Sequence, residues 1–225
     1  MFRKILFLGR FNCKNTENVF KFLKKKTKEI HYYKSKKLGE KIKIKKKHLN
    51  CDYIISFKNY YILKKKEIDK AKYAAINFHP SPPKYRGLGP VNFSIYNQEK
   101  FFGCTAHIID KNIDSGPIID VKRFKVGRSD DVEKILNKTY KNLEIQAKKI
   151  LKMLAKSNKN LEKLKIRSKN EKWSKKIVNR GQLENFYRIS KNISLKNFKR
   201  KILATKYKNF RPYIIFKNKK FELKD

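Results

Sequence analysis

The sequence predicts an α/β protein: a Rossmann-like, doubly wound, mostly parallel sheet with a small C-terminal α+β extension. Three observations predict it. Short apolar runs between residues 4 and 124 alternate with amphipathic or Lys-rich stretches, the strand–helix rhythm of parallel sheets. A long segment from Val132 to Leu154 carries apolar residues at three- and four-residue steps over much of its length. A Pro- and Gly-rich stretch directly follows one strand, and open α/β sheets bind ligands beyond the carboxyl ends of their strands.

In chain order, Lys4 to Gly9 reads as a buried first strand. Asn15 to Lys26 shows one apolar face and reads as a helix, and Ile30 to Tyr33 as a second strand. Residues 34–50 are Lys-rich and weakly patterned. Tyr53 to Phe57 is a third strand, Ile62 to Ala71 a short helix, and Tyr73 to Phe78 a fourth strand. Pro80 to Pro90 holds four of the six prolines, which fix φ and remove donors, so a rigid loop is expected there. Pro90 can open a helix through Gln98. Gly103 to Asp110 and Pro117 to Phe124 are two more strands joined by Lys111 to Gly116, and Ser129 is the expected cap of the long helix. Residues 156–170 read as a polar linker. Beyond it, Leu183 to Ile189 reads as a helical turn, and Tyr213 to Phe216 with Phe221 to Leu223 as a hairpin around Lys217-Asn218-Lys219. The expected division is 1–155, a linker over 156–170, and a small extension over 171–225.

The composition limits function. Apolar residues make up 40% of the 225, enough for a packed interior, yet no run reaches the ~20 residues of a membrane span. The apolar part of the first strand is too short for a signal-peptide core, so a cytoplasmic protein is expected. Cys13, Cys51 and Cys104 form no C-x-x-C pair and do not cluster with the histidines at zinc-ligand spacing. Free thiols and no metal are expected. A formal charge of +41 admits a polyanionic partner. The excess is nearly all Lys and runs from Lys14 to Lys224 rather than forming one patch, which suggests compositional drift more than a designed groove.

Asn77-Phe78-His79 ends a strand, where residues two apart point to one side. An amide and an imidazole therefore project together beside the rigid loop. Asp114 lies in a turn between two strands of the same sheet, within reach of His79. Such a trio suits acyl transfer to an amine. The amide and the ring can donate to the oxyanion of a tetrahedral intermediate, and the carboxylate can orient the ring and accept the amine's proton. No nucleophilic Ser or Cys is needed. His107, inside a strand, reads as a packed or surface residue.

Four strings carry a family resemblance: Ile76-Asn77-Phe78-His79-Pro80-Ser81, Lys84-Tyr85-Arg86-Gly87, Gly103-Cys104-Thr105-Ala106-His107 and Asp114-Ser115-Gly116-Pro117-Ile118. In this order and spacing they resemble the signature of the folate-dependent formyltransferases over about residues 1–155. The resemblance implies Asn77, His79 and Asp114 as the catalytic trio and 10-formyltetrahydrofolate as the donor. It implies a pterin held largely by backbone, along Tyr61-Ile62-Leu63 and the turn from Asp110 through Ile113 to Asp114. Ser81, Tyr85 and Arg86 are the candidates to touch the acceptor. The sequence departs from many members in having Ser81-Pro82-Pro83 after the histidine, which bears on the loop and not on the trio.

The loop and the tail, with Trp173 and Asn179-Arg180, are most similar to sugar N-formyltransferases, so a nucleotide-linked amino sugar is the expected acceptor and a homodimer the expected assembly. The competing acceptor is charged initiator tRNA, as for a methionyl-tRNA formyltransferase lacking a full C-terminal barrel. A reading from another class is a nucleic-acid-binding protein on an inactive formyltransferase scaffold.

Overall fold

The computed structural model describes residues 1–223. Strands β1 (Phe2–Arg10), β2 (Thr27–Ser35), β3 (Cys51–Phe57) and β4 (Ala71–His79) are linked by helices α1 (Lys14–Lys24), α2 (Lys46–Leu49) and α3 (Lys65–Ile68). After the two-residue β5 (Arg86–Gly87) and α4 (Pro90–Tyr96) come β6 (Phe101–Ile108) and β7 (Ile118–Lys125). Helices α5 (Val132–Lys156) and α6 (Asn160–Arg167) follow, then β8 (Ile177–Val178), α7 (Arg180–Tyr187), α8 (Leu195–Thr205), β9 (Tyr213–Phe216) and β10 (Lys219–Glu222). The main sheet runs β2-β1-β3-β4-β6-β7. Its first four strands are parallel, and β6 and β7 are antiparallel to their neighbours.

Alternation along the strands sorts residues between the two faces. Ile5, Phe7, Tyr53, Ile55, Ile76 and Phe78 join Cys104 and Ala106 in a core covered by α1, α5 and α6. Each fully buried Ile or Phe of this kind is worth about 1.5–3 kcal/mol of transfer free energy. The intervening residues Leu6, Leu8, Ile54 and Ala75 face the other way, under only short α2, α3 and loops. Asn77 and His79 share the parity of Ala75, and Thr105 and His107 are opposite to Ala106. All four therefore point to the lightly covered face, where a cleft can form. A second core joins Tyr85, Val91, Ile95 and Phe102 to Phe186 and Ala204, fastening α7 and α8 to the sheet domain. The Phe93 and Phe186 rings lie 4.4 Å apart there.

Several elements differ from expectation. The helix expected over Ile62 to Ala71 is only α3, because Tyr61-Ile62-Leu63 runs without regular structure and Glu67 closes the helix start by accepting from Lys64 N. Asp131, not Ser129, caps α5, its carboxylate accepting from Lys134 N at 2.8 Å. The expected linker contains α6, whose Leu161 and Leu164 are buried in the first core despite the Lys-rich surroundings. The Pro/Gly loop is not wholly free of strand, since Arg86–Gly87 pairs with Ile177–Val178. Gly87 has φ +83, and a Cβ there would meet Val178 O at 2.3 Å, so the close approach of β8 requires glycine. The hairpin expected in the tail is present, Lys217 and Asn218 supplying the two positive φ values of a tight turn.

Candidate active site

The β4–β6 ladder pairs Asn77 with His107 and His79 with Thr105. Asn77 Nδ2 lies 3.2 Å from His107 Nε2. His107 Nδ1–H donates to Ile108 O at 2.8 Å, which fixes the plane of the ring beside the amide.

The turn after β6 returns over this face. Asp110 Oδ1 accepts from Asn112 N at 2.9 Å and from the Ser115 hydroxyl at 2.5 Å, which winds the turn tightly. Asp114 takes a left-handed backbone, φ +48, tolerated by an Asp at some cost. Gly116 passes so close to β6 that a Cβ would meet Ile108 O at 2.0 Å. The result puts the Asp114 carboxylate between two imidazoles, Oδ2 at 3.4 Å from His79 Nδ1 and Oδ1 at 3.5 Å from His107 Nε2. The three sequence-predicted residues are thus in one cluster.

Burial sets the electrostatics. It pulls the His79 imidazole below its ordinary pKa, against the opposing charge of Asp114. Burial also pushes the Asp114 carboxyl up, but His79, His107 and Arg86 outweigh it and hold it below the usual carboxylate value. His79 Nε2 lies 3.3 Å from the Tyr85 carbonyl. Asp114 is therefore an anion kept out of water beside a ring poised to donate or accept a proton.

The remaining expected residues divide. Ser81 is fully buried, its hydroxyl donating to Tyr85 O at 2.8 Å, and its carbonyl accepts from Thr105. The Tyr85 hydroxyl donates to Glu99 at 2.7 Å. Arg86 donates from Nη1 to Ser174 O and from Nη2 to Ile113 O, both at 2.9 Å. These three, expected to touch an acceptor, each make hydrogen bonds within the chain that shape the site. Tyr61 donates its hydroxyl to Glu67, and Leu63 is packed on the cleft face of the sheet with Leu6, Ile54 and Ala75. Ile62 and Ile113 are 59% and 55% exposed, apolar surface on the segments expected to flank a pterin.

Two members of the site were not foreseen. His107 is no bystander, since it bridges Asn77 and Asp114. The alternation of β6 against its core residues Cys104 and Ala106 carried that signal. Trp173, from the tail, sets its ring edge-on to both imidazoles, 5.0 Å from His107 and 5.9 Å from His79. Its Nε1–H donates to Gly116 O at 2.8 Å. Only the tertiary fold brings it there. Among the described residues, no group of His, Cys, Asp and Glu is arranged to hold a metal ion, and no helix is long and apolar enough to cross a membrane.

Fold and cluster together define a class: a Rossmann-like α/β protein whose sheet presents an amide, imidazoles and a carboxylate suited to polarising a carbonyl. More particularly, the chain belongs to the formyl transferase family, whose model matches residues 7–151. A methionyl-tRNA formyltransferase of Thermodesulfovibrio yellowstonii is 37% identical over 95 residues, 42% of this chain and 31% of the relative's own length. The match thus spans about a third of that curated relative. A likely sugar N-formyltransferase from Mycobacterium tuberculosis shares the fold with a TM-score of 0.70 at 18% identity, covering 99% of this chain and 97% of that one. The formyltransferase PseJ from Anoxybacillus kamchatkensis, solved with UDP-4,6-dideoxy-4-formamido-L-AltNAc and tetrahydrofolate, aligns at 26% identity and a TM-score of 0.53. That alignment covers 72% of this chain and 78% of PseJ.

Proposed function

We propose that the protein transfers a formyl group from 10-formyltetrahydrofolate to the primary amine of a nucleotide-linked amino sugar. The observation that carries this reading is the approach of the Asp114 carboxylate to His79, on the sheet face that also bears Asn77. The amine nitrogen attacks the formyl carbon while Asn77 and His79 donate to the developing oxyanion. The bond to the folate nitrogen then breaks, that nitrogen takes up a proton, and Asp114, directly or through water, accepts the proton the amine loses. Ile62 and Ile113 offer apolar surface to an aromatic donor, and the backbone of Tyr61 to Leu63 and of Asp110 to Asp114 would hold its polar edge.

Two observations support an acceptor carrying phosphate. One residue beyond the last sheet pairs Gly9–Phe57 and Phe57–Phe78 lie Arg10 and Lys58, in line with His79 across the carboxyl edge. Burial lowers the Lys58 ammonium to about 8, opposed by Cys13, and Arg10 stacks on Tyr60 at 4.3 Å. Lys58 Nζ in turn lies over the Tyr140 ring at 3.1 Å. Partly buried cations seated on aromatic rings at the carboxyl edge of a sheet suit an anionic ligand. The second support is the likeness to sugar N-formyltransferases, extending over nearly the whole of both chains. The competing acceptor, charged initiator tRNA, draws on the +41 charge and on the methionyl-tRNA formyltransferase relative.

The test incubates the protein with 10-formyltetrahydrofolate and either a panel of nucleotide-linked amino sugars or charged initiator tRNA, following formamide formation by mass spectrometry. Formylation of an amino sugar is expected. Formylation of tRNA alone would overturn the acceptor, and turnover undiminished in His79→Ala would overturn the mechanism.

A further inference from the structure

We infer that residues 171–178 form a strap that completes the active site, with Trp173 as a positioning residue that holds the Asp114 turn and both imidazoles in register. The inference rests on the proposed reaction but extends the site beyond the family-matched segment, which ends at residue 151.

The turn bearing Asp114 is pinned on both sides by donors. Arg86 Nη2 donates to the carbonyl of Ile113, immediately before Asp114, and Trp173 Nε1–H donates to the carbonyl of Gly116, two residues after it. The circuit is closed, because Arg86 Nη1 donates to Ser174 O and the guanidinium carbon lies 6.0 Å from the Trp173 ring centroid. Ser174 N donates to Pro83 O at 3.0 Å, so the strap also grips the loop beside His79. Its ends are fixed independently. Glu171 accepts two hydrogen bonds from Arg123 on β7, at 2.6 and 2.8 Å, and Ile177–Val178 pairs with Arg86–Gly87. A left-handed aspartate is a costly conformation, and these contacts over-determine it. The edge of the indole also closes the side of the His79–Asp114–His107 cluster, which keeps solvent from screening the three groups.

Trp173 is the only tryptophan in the sequence, so its fluorescence reports on this contact directly. In the intact protein, emission should fall as pH drops and the His79 imidazole, 5.9 Å away, gains a proton, because imidazolium quenches indole. His79→Gln should weaken that titration. In formyl transfer, Trp173→Phe keeps an aromatic edge but loses the bond to Gly116. Its kcat should fall about ten- to a hundred-fold, the scale of an ångström-sized misplacement, with KM for donor and acceptor little changed. Arg86→Gln should act in the same direction. The acid limb of the rate profile in Trp173→Ala should move upward, toward an ordinary imidazole, as water reaches His79 past Asp114, His107 and Arg86. Pairing a pH-independent emission with unaltered kcat in both Trp173 variants overturns the strap. A wild-type protein that formylates no amine would sink the proposed reaction and leave the fluorescence titration as the judge of the strap.

Discussion

Asn77 and His107 face one another across the β4–β6 ladder with their side chains 3.2 Å apart, so the amide expected to meet a carbonyl oxygen is itself oriented by an imidazole. Backbone pairing fixes the relationship, and it persists as long as the two strands keep their register. Catalytic power in such a site comes from donors already aimed before the substrate arrives.

Removing either donor should therefore cost rate more than affinity. Asn77→Ala and His79→Ala should each lower kcat by about 10²–10³, the range for loss of one oxyanion donor. Asp114→Asn should cost at least as much, since it removes the proton acceptor as well as the orienting charge. Steady-state kinetics with the identified acceptor checks all three. A KM-only effect would mean the groups merely bind.

The pH dependence of stability has a definite sign. His79 and Asp114 both titrate below their ordinary values in the folded protein. Each therefore binds fewer protons folded than unfolded, and each contribution is present above its unfolded pKa and is lost as pH falls through the folded one. Melting temperature should hold above pH ~6.5, decline first through the histidine range, and decline again below pH ~4. His79→Gln should flatten the first decline and Asp114→Asn the second.

The helix α6 makes a separate structural prediction. Leu164 is 4% exposed in the first core. Leu164→Ala should destabilise the protein by about 2–5 kcal/mol in urea unfolding, as for large-to-small core changes. A true flexible linker at that position would show almost no effect.

Lys58→Gln probes the phosphate reading. If Lys58 and Arg10 meet an acceptor anion, the variant should raise KM for the nucleotide-linked sugar about ten- to a hundred-fold and leave KM for the folate unchanged, since hydrogen bonds to charged groups are worth about 1.5–3 kcal/mol. Equal effects on both substrates would point to a purely structural lysine.

Most of the sheet and the trio were legible because they depend on short-range signals. The strand ending Ile76-Asn77-Phe78-His79 shows its alternation openly, and Pro and Gly mark the loop after it. What escaped depends on distant partners. Helix α6 looked like a linker because its charged residues Glu162, Lys163, Lys165 and Arg167 outnumber the two leucines that decide its packing. Helix α8 carries Leu195, Phe198, Ile202 and Leu203 at helical spacing, yet its place against the sheet domain is set by distant bonds such as Asn92 Nδ2 to Ala204 O at 2.7 Å. The cap of α5 went to Asp131 within Ser129-Asp130-Asp131, where three neighbouring residues could each have capped it. His107 and Trp173 were visible as residues, but their role needed the ladder register and the path of the tail.

The switch from parallel to antiparallel pairing at β4 leaves the site intolerant of a particular kind of genetic change. Inserting or deleting one residue between Gly103 and Ala106 would exchange the two sides of β6. A thiol or a methyl group would then confront the Asn77 amide, and a basic ring would be driven under α5 into oil. Chains descending from this one should thus vary freely in the length of surface loops while keeping the count of residues along β6 constant.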